Sequence, residues 1–256
     1  MIRKNIFRAA IACFCVCLFS CTTPVTGLGV KDTPTTELIM PDGGGPFPAV
    51  LILHASSGVI SADLDYAKML ARNGYACFIS HYFEARNINY SSRGEAVSIH
   101  AEAILRDLVD TLENLKKNPK VDKDKLGAVG FSMGGYWAMV LAAKGYVQAG
   151  VSNYGVLTAI GQRNPLRYEF GDIFNEKSSP VLILHGANDT TQPVAGAHRL
   201  SAILEQKYLA YEKHIYPSAG HSFDRGEYQN STVASDSRDR TLEFLDKYVK
   251  KNLSKK

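Results

Sequence analysis

Three residues of the chain could together carry out nucleophilic acyl transfer. Ser132 lies within residues 130–134, Gly-Phe-Ser-Met-Gly, which match the G-x-S-x-G pattern of a nucleophile held on a sharp turn. A serine hydroxyl is a weak nucleophile at neutral pH and needs an adjacent base. His221 is the candidate base, and Asp189 is the candidate acid that orients the imidazole. Taken alone, Asp189 has an alternative explanation as a turn former, and His221 as a surface histidine.

Acyl transfer also needs two backbone N–H groups that stabilise the oxyanion of the tetrahedral intermediate. The residue after the nucleophile, Met133, is expected to supply one of them. The loop after the apolar stretch at 49–54 is expected to supply the other, and Ser56 is the candidate donor. Ser56 and Ser57 have no G-x-S-x-G turn around them, so we expect backbone donation and loop structure from them, not nucleophilic attack.

The candidate catalytic residues follow apolar stretches that alternate with helical patterns. Strands are predicted at 37–40, 49–54, 75–80, 125–130, 147–153, 180–185 and 209–216, and helices at 62–73, 95–117, 134–144, 194–206 and 235–250. This alternation predicts an α/β fold with a mostly parallel central sheet of roughly seven to eight strands and helices on both faces. Such sheets bind ligands beyond the carboxyl ends of their strands, which is where the three candidate residues fall. Their order along the chain, Ser-Asp-His, is that of the α/β-hydrolase fold.

The beginning of the chain has the pattern of an export signal. A basic start is followed by an apolar run at 9–19 that is short for a membrane span. The stretch ends in Leu-Phe-Ser-Cys, which resembles a bacterial lipobox and makes Cys21 a candidate lipidation site. We therefore expect a lipoprotein-type signal peptide at 1–21, a tether at 22–35 and an α/β-hydrolase domain at 36–256, anchored in the bacterial cell envelope and facing the periplasm. An ordinary signal peptide, which would give a secreted or periplasmic protein, is the alternative.

Composition excludes several classes of function. A length of 256 residues suits one large α/β domain. The formal charge of +4 comes from the chain ends, because eight of the 29 basic residues lie there and leave 21 basic against 25 acidic side chains elsewhere. Nucleic-acid binding is therefore not expected. Outside the first 21 residues Cys77 is the only cysteine, and no metal or nucleotide motif is present, so we expect neither disulfides nor a metal or other cofactor.

Together these motifs resemble the dienelactone hydrolase family of the α/β-hydrolase superfamily. The resemblance runs from Gly45 to the final helix and is most specific at 127–135, 154–156, 185–189 and 220–223. It implies a hydrolase that cleaves small-molecule esters or lactones through an acyl-enzyme without a cofactor. The archetype has a cysteine nucleophile and a glutamate in its oxyanion loop. This chain has Ser132 and no glutamate at 55–57, which resembles the serine-using, esterase-like branch.

The resemblance also implies residues that contact the substrate. Two arginines of the archetype hold a substrate carboxylate, and Arg225 falls where one of them would lie, with Arg86 near the place of the other. An anionic substrate is therefore one hypothesis. The alternative is a salt bridge from Arg225 to Asp224 or Glu227.

Two aromatic residues are further candidates for substrate contact. Tyr82 follows the predicted strand at 75–80, and Trp137 lies on the helix after the nucleophile, where a core position is the simpler interpretation. The sequence thus predicts a serine hydrolase acting on esters. A peptidase or amidase with the same triad and a lipid-anchored binding protein without catalysis are the alternatives, and the sequence does not indicate an oligomeric state.

Overall fold

A mostly parallel sheet organises the chain. The computed structural model describes residues 35–158 and 165–251. Within them the strands are β1 Thr36–Ile39, β2 Phe47–Leu53, β3 Ala76–Ser80, β4 Val121–Phe131, β5 Ala149–Asn153, β6 Val181–Gly186 and β7 Tyr211–Tyr216. Their order in the sheet is β1-β3-β2-β4-β5-β6-β7, and only β1 pairs antiparallel to its neighbour. The predicted architecture is confirmed, with seven strands in the described residues.

Helices cover both faces of this sheet. They are α1 Ser61–Arg72, α2 Ala101–Leu115, α3 Met133–Ala143, α4 Phe170–Ile173, α5 Ala195–Gln206 and α6 Thr232–Leu245. Alternate residues of β2 point to opposite faces, as the pleat of a strand requires. Val50 and Ile52 belong to the core that α1 and α6 cover, whereas Leu51 and Leu53 belong to the core that α2, α3 and α5 cover.

Three elements begin three or more residues away from the predicted position. The helix predicted from residue 95 begins at Ala101, because Arg93–Val97 forms a 3₁₀ turn instead. Strand β4 begins four residues early, at Val121, and its pairing with β2 shifts register between Phe47 and Ala49. The last helix begins at Thr232, where the Ser231 hydroxyl accepts the Ala234 N–H at 3.1 Å and so caps the first turn. A π-helical turn, Asp246–Lys250, follows it.

Helix α3 is buried along its entire length. Each residue of Met-Gly-Gly-Tyr-Trp-Ala-Met-Val-Leu-Ala-Ala is buried, as expected of a helix that is apolar on all sides. This central helix fixes the position of the turn that precedes it. Cys77 is buried in the opposite core. No helix within the described residues is long and apolar enough to span a membrane.

Candidate active site

Ser132 lies on a strained turn between β4 and α3. Its φ is +51° and its ψ is −119°, a conformation that non-glycine residues rarely adopt. Its N–H donates to the Asn153 carbonyl of β5 at 2.9 Å, which holds the turn against the next strand. Two flanking glycines make this approach possible: a Cβ at Gly130 would lie 1.9 Å from the Gly134 carbonyl oxygen, and one at Gly134 would lie 2.0 Å from that of Leu53. The G-x-S-x-G pattern therefore follows from backbone contacts.

The three candidate catalytic side chains converge at the carboxyl ends of β4, β6 and β7. The His221 Nε2 lies 3.0 Å from the Ser132 Oγ, and its Nδ1 lies 2.7 Å from the Asp189 Oδ2. Both distances allow hydrogen bonds. Ser132 and Asp189 are buried, whereas the His221 side chain is 18% exposed. The arrangement has the nucleophile–base–acid geometry that acyl transfer needs.

The Asp189 carboxylate is held by its own loop. Its Oδ1 accepts the N–H groups of Thr191 at 2.9 Å and Gln192 at 2.7 Å, which leaves Oδ2 directed at His221. Burial would raise the pKa of Asp189, but the hydrogen bonds from His221 and the Gln192 N–H outweigh it and hold the pKa below its ordinary value. The side chain is therefore a carboxylate at neutral pH, ready to orient an imidazole.

His185, at the end of β6, contacts the same loop. Its Nε2 lies 2.7 Å from the Gln192 carbonyl oxygen and 3.4 Å from the Asp189 Oδ2. Burial lowers the pKa of His185, so the ring is neutral at neutral pH and its Nε2 must carry the proton to donate to the carbonyl. A histidine at the end of a strand thus donates a hydrogen bond to the loop that carries Asp189.

The candidate oxyanion donors lie on the two segments that meet at this turn. Met133 is the first residue of α3, and its N–H therefore has no acceptor within the helix. Ser56 lies in the loop between β2 and α1, and the close approach of Gly134 to the carbonyls of Leu53 and His54 brings the start of this loop against the start of α3. The assignment of the two donors stays a prediction.

Arg225 lies inside the protein and is ion-paired there. Its Nη2 lies 2.8 Å from the Asp63 Oδ1, its Nε lies 3.7 Å from the Asp224 Oδ1, and its Nε donates to the Tyr154 hydroxyl at 2.6 Å. The residue is 8% exposed. The geometry favours the salt-bridge alternative over contact with a substrate carboxylate, although Asp63 joins Asp224 as a partner in place of Glu227. Arg86 is likewise engaged, by both carboxylate oxygens of Asp107.

Tyr82 and Trp137, the two aromatic candidates for substrate contact, are core residues in this structure. Both have no exposed surface. The Tyr82 hydroxyl donates to the His54 carbonyl at 2.8 Å, and its ring stacks on the His54 ring at 4.0 Å. Trp137 packs edge-on against Tyr136 on the buried helix α3. The substrate-contact prediction is wrong for both, because each side chain is enclosed by protein.

The predicted N-terminal features lie outside the residues that the structure describes. The candidate lipidation site Cys21 and the signal-peptide and tether segments before residue 35 fall outside the described ranges and stay predictions. Within 35–158 and 165–251, no group of three or more His, Cys, Asp or Glu side chains is placed to hold a metal ion.

Two residues of this region were not identified from the sequence. Asp63 is the nearer of the two carboxylates that pair with Arg225 and has no exposed surface, although the sequence pattern places it on an ordinary amphipathic helix. Tyr154 comes directly after β5, and this position at the end of a strand is the sequence feature that could have indicated a place near the site. It has a φ of +44°, and its ring lies edge-on to the His221 ring at 5.0 Å.

Comparison with known proteins identifies the family. A model of the dienelactone hydrolase family matches residues 35–249. The chain belongs to the dienelactone hydrolase family. A protein from Methylorubrum extorquens named "Putative carboxymethylenebutenolidase" is 30% identical over 213 residues, which cover 78% of this chain and 71% of that protein. The chain is accordingly a hydrolase.

Solved structures share the fold of this dienelactone hydrolase family member. An α/β hydrolase from a deep-sea metagenome library of the Medee basin aligns with a TM-score of 0.72 and 19% identity, over 91% of this chain and all of that one (100%). A dienelactone hydrolase-like promiscuous phosphotriesterase from metagenomic libraries aligns with a TM-score of 0.69 and 21% identity, over 84% of this chain and 92% of that one. These two similarities bear on the fold alone, and they confirm the α/β-hydrolase prediction.

His54, the residue directly after β2, is expected to make the stability of the fold depend on pH. Burial lowers its pKa from 6.5 to about 4. The unfolded chain therefore takes up a proton below pH 6.5 that the folded chain excludes, so the folded state is fully favoured above pH 6.5 and loses stability towards pH 4. At 1.36 kcal/mol for each pKa unit, the loss over this interval is about 3 kcal/mol.

Urea unfolding at pH 7 and pH 4.5 measures this effect in the wild type and in His54→Gln. The variant has no titrating ring, and the loss of unfolding free energy on acidification should therefore be smaller by about 2 to 3 kcal/mol than in the wild type. Equal losses in the two proteins would contradict the assignment to His54.

Proposed function

We propose that the protein hydrolyses carboxylic esters, lactones included, with Ser132 as nucleophile, His221 as general base and Asp189 as the residue that orients the imidazole. The observation that carries the proposal is the continuous contact from the Ser132 Oγ to the His221 Nε2 at 3.0 Å and from its Nδ1 to the Asp189 Oδ2 at 2.7 Å. Relatives named carboxymethylenebutenolidase and lactonase support including the cyclic esters.

In the proposed first half-reaction, the Ser132 Oγ attacks the ester carbonyl carbon while the His221 Nε2 takes its proton. The carbonyl oxygen becomes an oxyanion, for which the N–H groups of Met133 and Ser56 are the proposed donors. The bond between the carbonyl carbon and the leaving oxygen then breaks, and this oxygen receives the proton from His221. The acyl group stays on Ser132, and the alcohol departs; from a lactone, the new hydroxyl stays attached to the acyl chain.

In the second half-reaction, water replaces the alcohol. His221 takes a proton from the water as its oxygen attacks the acyl-enzyme, and the proton passes to Ser132 when the ester bond to the enzyme breaks. The product is a carboxylic acid and the enzyme is restored. Asp189 keeps its charge throughout and stabilises the imidazolium that forms in both halves.

A fluorophosphonate probe tests the proposal, because it reacts covalently with an activated serine. The wild type should be labelled at Ser132 and Ser132→Ala should take up no label. Ser57→Ala is the matched control, since Ser57 is an exposed serine of the nearby loop and is not expected to be the nucleophile. A wild type without label, or equal labelling of Ser132→Ala, would refute the proposed mechanism.

A further inference from the structure

A buried cluster of charged and polar side chains lies behind the candidate active site. We call it the arginine cluster: it comprises Asp63, Tyr154, Asp224 and Arg225, all buried. The Arg225 guanidinium pairs with Asp63 through Nη2 at 2.8 Å and donates from Nε to the Tyr154 hydroxyl at 2.6 Å. That hydroxyl donates in turn to the Asp224 Oδ1 at 2.7 Å. Arg225, in the segment that follows β7, therefore links two segments that are distant in the sequence: the start of α1 and the residues after β5.

Through Asp63, the cluster reaches the loop that carries Ser56. Asp63 lies in the first turn of α1, and its Oδ2 accepts the N–H of Ile60 at 2.9 Å. Ile60 ends the loop that begins after β2. Because the other oxygen of the same carboxylate pairs with Arg225, the guanidinium fixes the end of this loop relative to the sheet.

Two other contacts of the cluster reach the surroundings of the nucleophile and the base. The Arg225 guanidinium lies 3.9 Å from the ring centre of Phe131, the residue immediately before Ser132. Tyr154, which accepts the Nε hydrogen bond, presents its ring edge-on to His221 at 5.0 Å. The arginine cluster therefore borders the catalytic pair on two sides, through the Phe131 ring next to the nucleophile and through the Tyr154 ring next to the base.

The positive charge of Arg225 is balanced by carboxylates inside the protein. Burial by itself would lower the pKa of the guanidinium, but Tyr154 and the carboxylates Asp224 and Asp63 raise it above its ordinary value, so the group stays charged. Turning it towards a substrate carboxylate would leave Asp63 buried without its partner, which is costly. The side chain is consequently suited to holding the segments together and not to binding a substrate anion.

We infer that Arg225 is a positioning residue, which sets the Ser56 loop, the Ser132 turn and the Tyr154 ring behind His221 in one arrangement and does not bind substrate. The inference rests on the proposed ester hydrolysis. A displacement of the catalytic groups by about 1 Å is enough to lower a rate about 100-fold. Loss of Arg225 should therefore lower kcat for every ester alike, whereas loss of a substrate ligand would raise KM only for esters that carry a carboxylate.

Kinetics of Arg225→Lys and Arg225→Ala test the inference with two substrates, p-nitrophenyl butyrate and mono-p-nitrophenyl glutarate. We expect kcat to fall by about 10- to 100-fold for both, by the same factor and with little change in KM. Guanidinium chloride, at concentrations that leave the protein folded, should restore part of kcat in Arg225→Ala. Arg240→Lys, which alters a surface pair with Asp236, is the matched control and should behave as the wild type.

Tyr154→Phe keeps the ring against His221 and removes only the hydroxyl, so it tests the cluster if the Arg225 variants do not fold. It should also lower kcat equally for both esters. A rise in KM confined to the glutarate ester, or unchanged kinetics in Arg225→Lys and Tyr154→Phe, would overturn the inference. Fluorophosphonate labelling of Ser132 in the wild type is independent of these results, so failure of the positioning role and failure of the proposed mechanism are distinguishable.

Discussion

Replacing His221 with alanine is expected to lower kcat for a p-nitrophenyl ester by about 10⁴- to 10⁶-fold, as loss of the base does in serine hydrolases that act through a triad. The imidazole is the group placed 3.0 Å from the Ser132 Oγ to take its proton, and the Ser132 hydroxyl cannot attack efficiently without it. KM should change little, because the lost contact matters in the transition state. Steady-state kinetics with p-nitrophenyl acetate measures both constants.

The protein should remain folded in this experiment. Asp189 retains the N–H groups of Thr191 and Gln192 on its Oδ1 when the ring is removed, so its loop keeps its anchors. His214→Ala is the matched control: this histidine lies on β7, its side chain is 36% exposed, and it faces Asp236. The control should keep wild-type kinetics. If His221→Ala kept more than about one-hundredth of the wild-type kcat, His221 would not be the base.

Much of the candidate site could be predicted because its geometry follows from local backbone rules. The turn at Ser132 needs glycine at 130 and 134, where a side chain would collide with backbone, and the chain must display this requirement as a sequence motif. Asp189 and His221 were found by a second rule, that functional groups gather where parallel strands end. Each rule can be applied to a short stretch of sequence. The three candidate catalytic residues could therefore be predicted without knowledge of the tertiary contacts.

The partners of Arg225 could not be predicted in the same way. Asp63 and Arg225 are 162 positions apart, and their pairing depends on how α1 and the segment after β7 pack on the same face of the sheet. Proximity in sequence instead favours Asp224 and Glu227 as partners, and of these Asp224 pairs with Arg225. Neighbours in sequence identify a partner only where the backbone turns their side chains together.

The burial of Tyr82 was also beyond the sequence, whereas for Trp137 the core interpretation is confirmed. Tyr82 and Trp137 occupy positions near the predicted cleft, and their rings have both apolar surface and a polar atom, as substrate-binding residues often do. Whether such a ring faces solvent or protein depends on neighbouring segments. The Tyr82 ring is covered by His54 and Phe83, and the Trp137 ring by Tyr136 and Tyr168.

Substitution of Asp189 by asparagine is expected to lower kcat by about 10⁴-fold while the geometry is retained, as in the corresponding change of another Ser-His-Asp triad. The amide oxygen of the new side chain would keep the N–H groups of Thr191 and Gln192, because an NH₂ group cannot accept from them. The NH₂ group must then face the His221 Nδ1 and donate to it. His221 would carry its proton on Nε2, directed at Ser132, and could no longer accept the serine proton.

Steady-state kinetics and the rate of fluorophosphonate labelling should fall together in this variant, since both depend on proton transfer from Ser132. Asp236→Asn is the matched control, because Asp236 pairs with Arg240 at the surface and removing its charge should leave both rates unchanged. Urea unfolding distinguishes a tautomer effect from loss of structure: a folded Asp189→Asn protein with low kcat supports the orienting role. A folded variant with wild-type kcat would show instead that the imidazole needs no carboxylate at Nδ1, because the ring packing against Tyr154 already fixes its orientation.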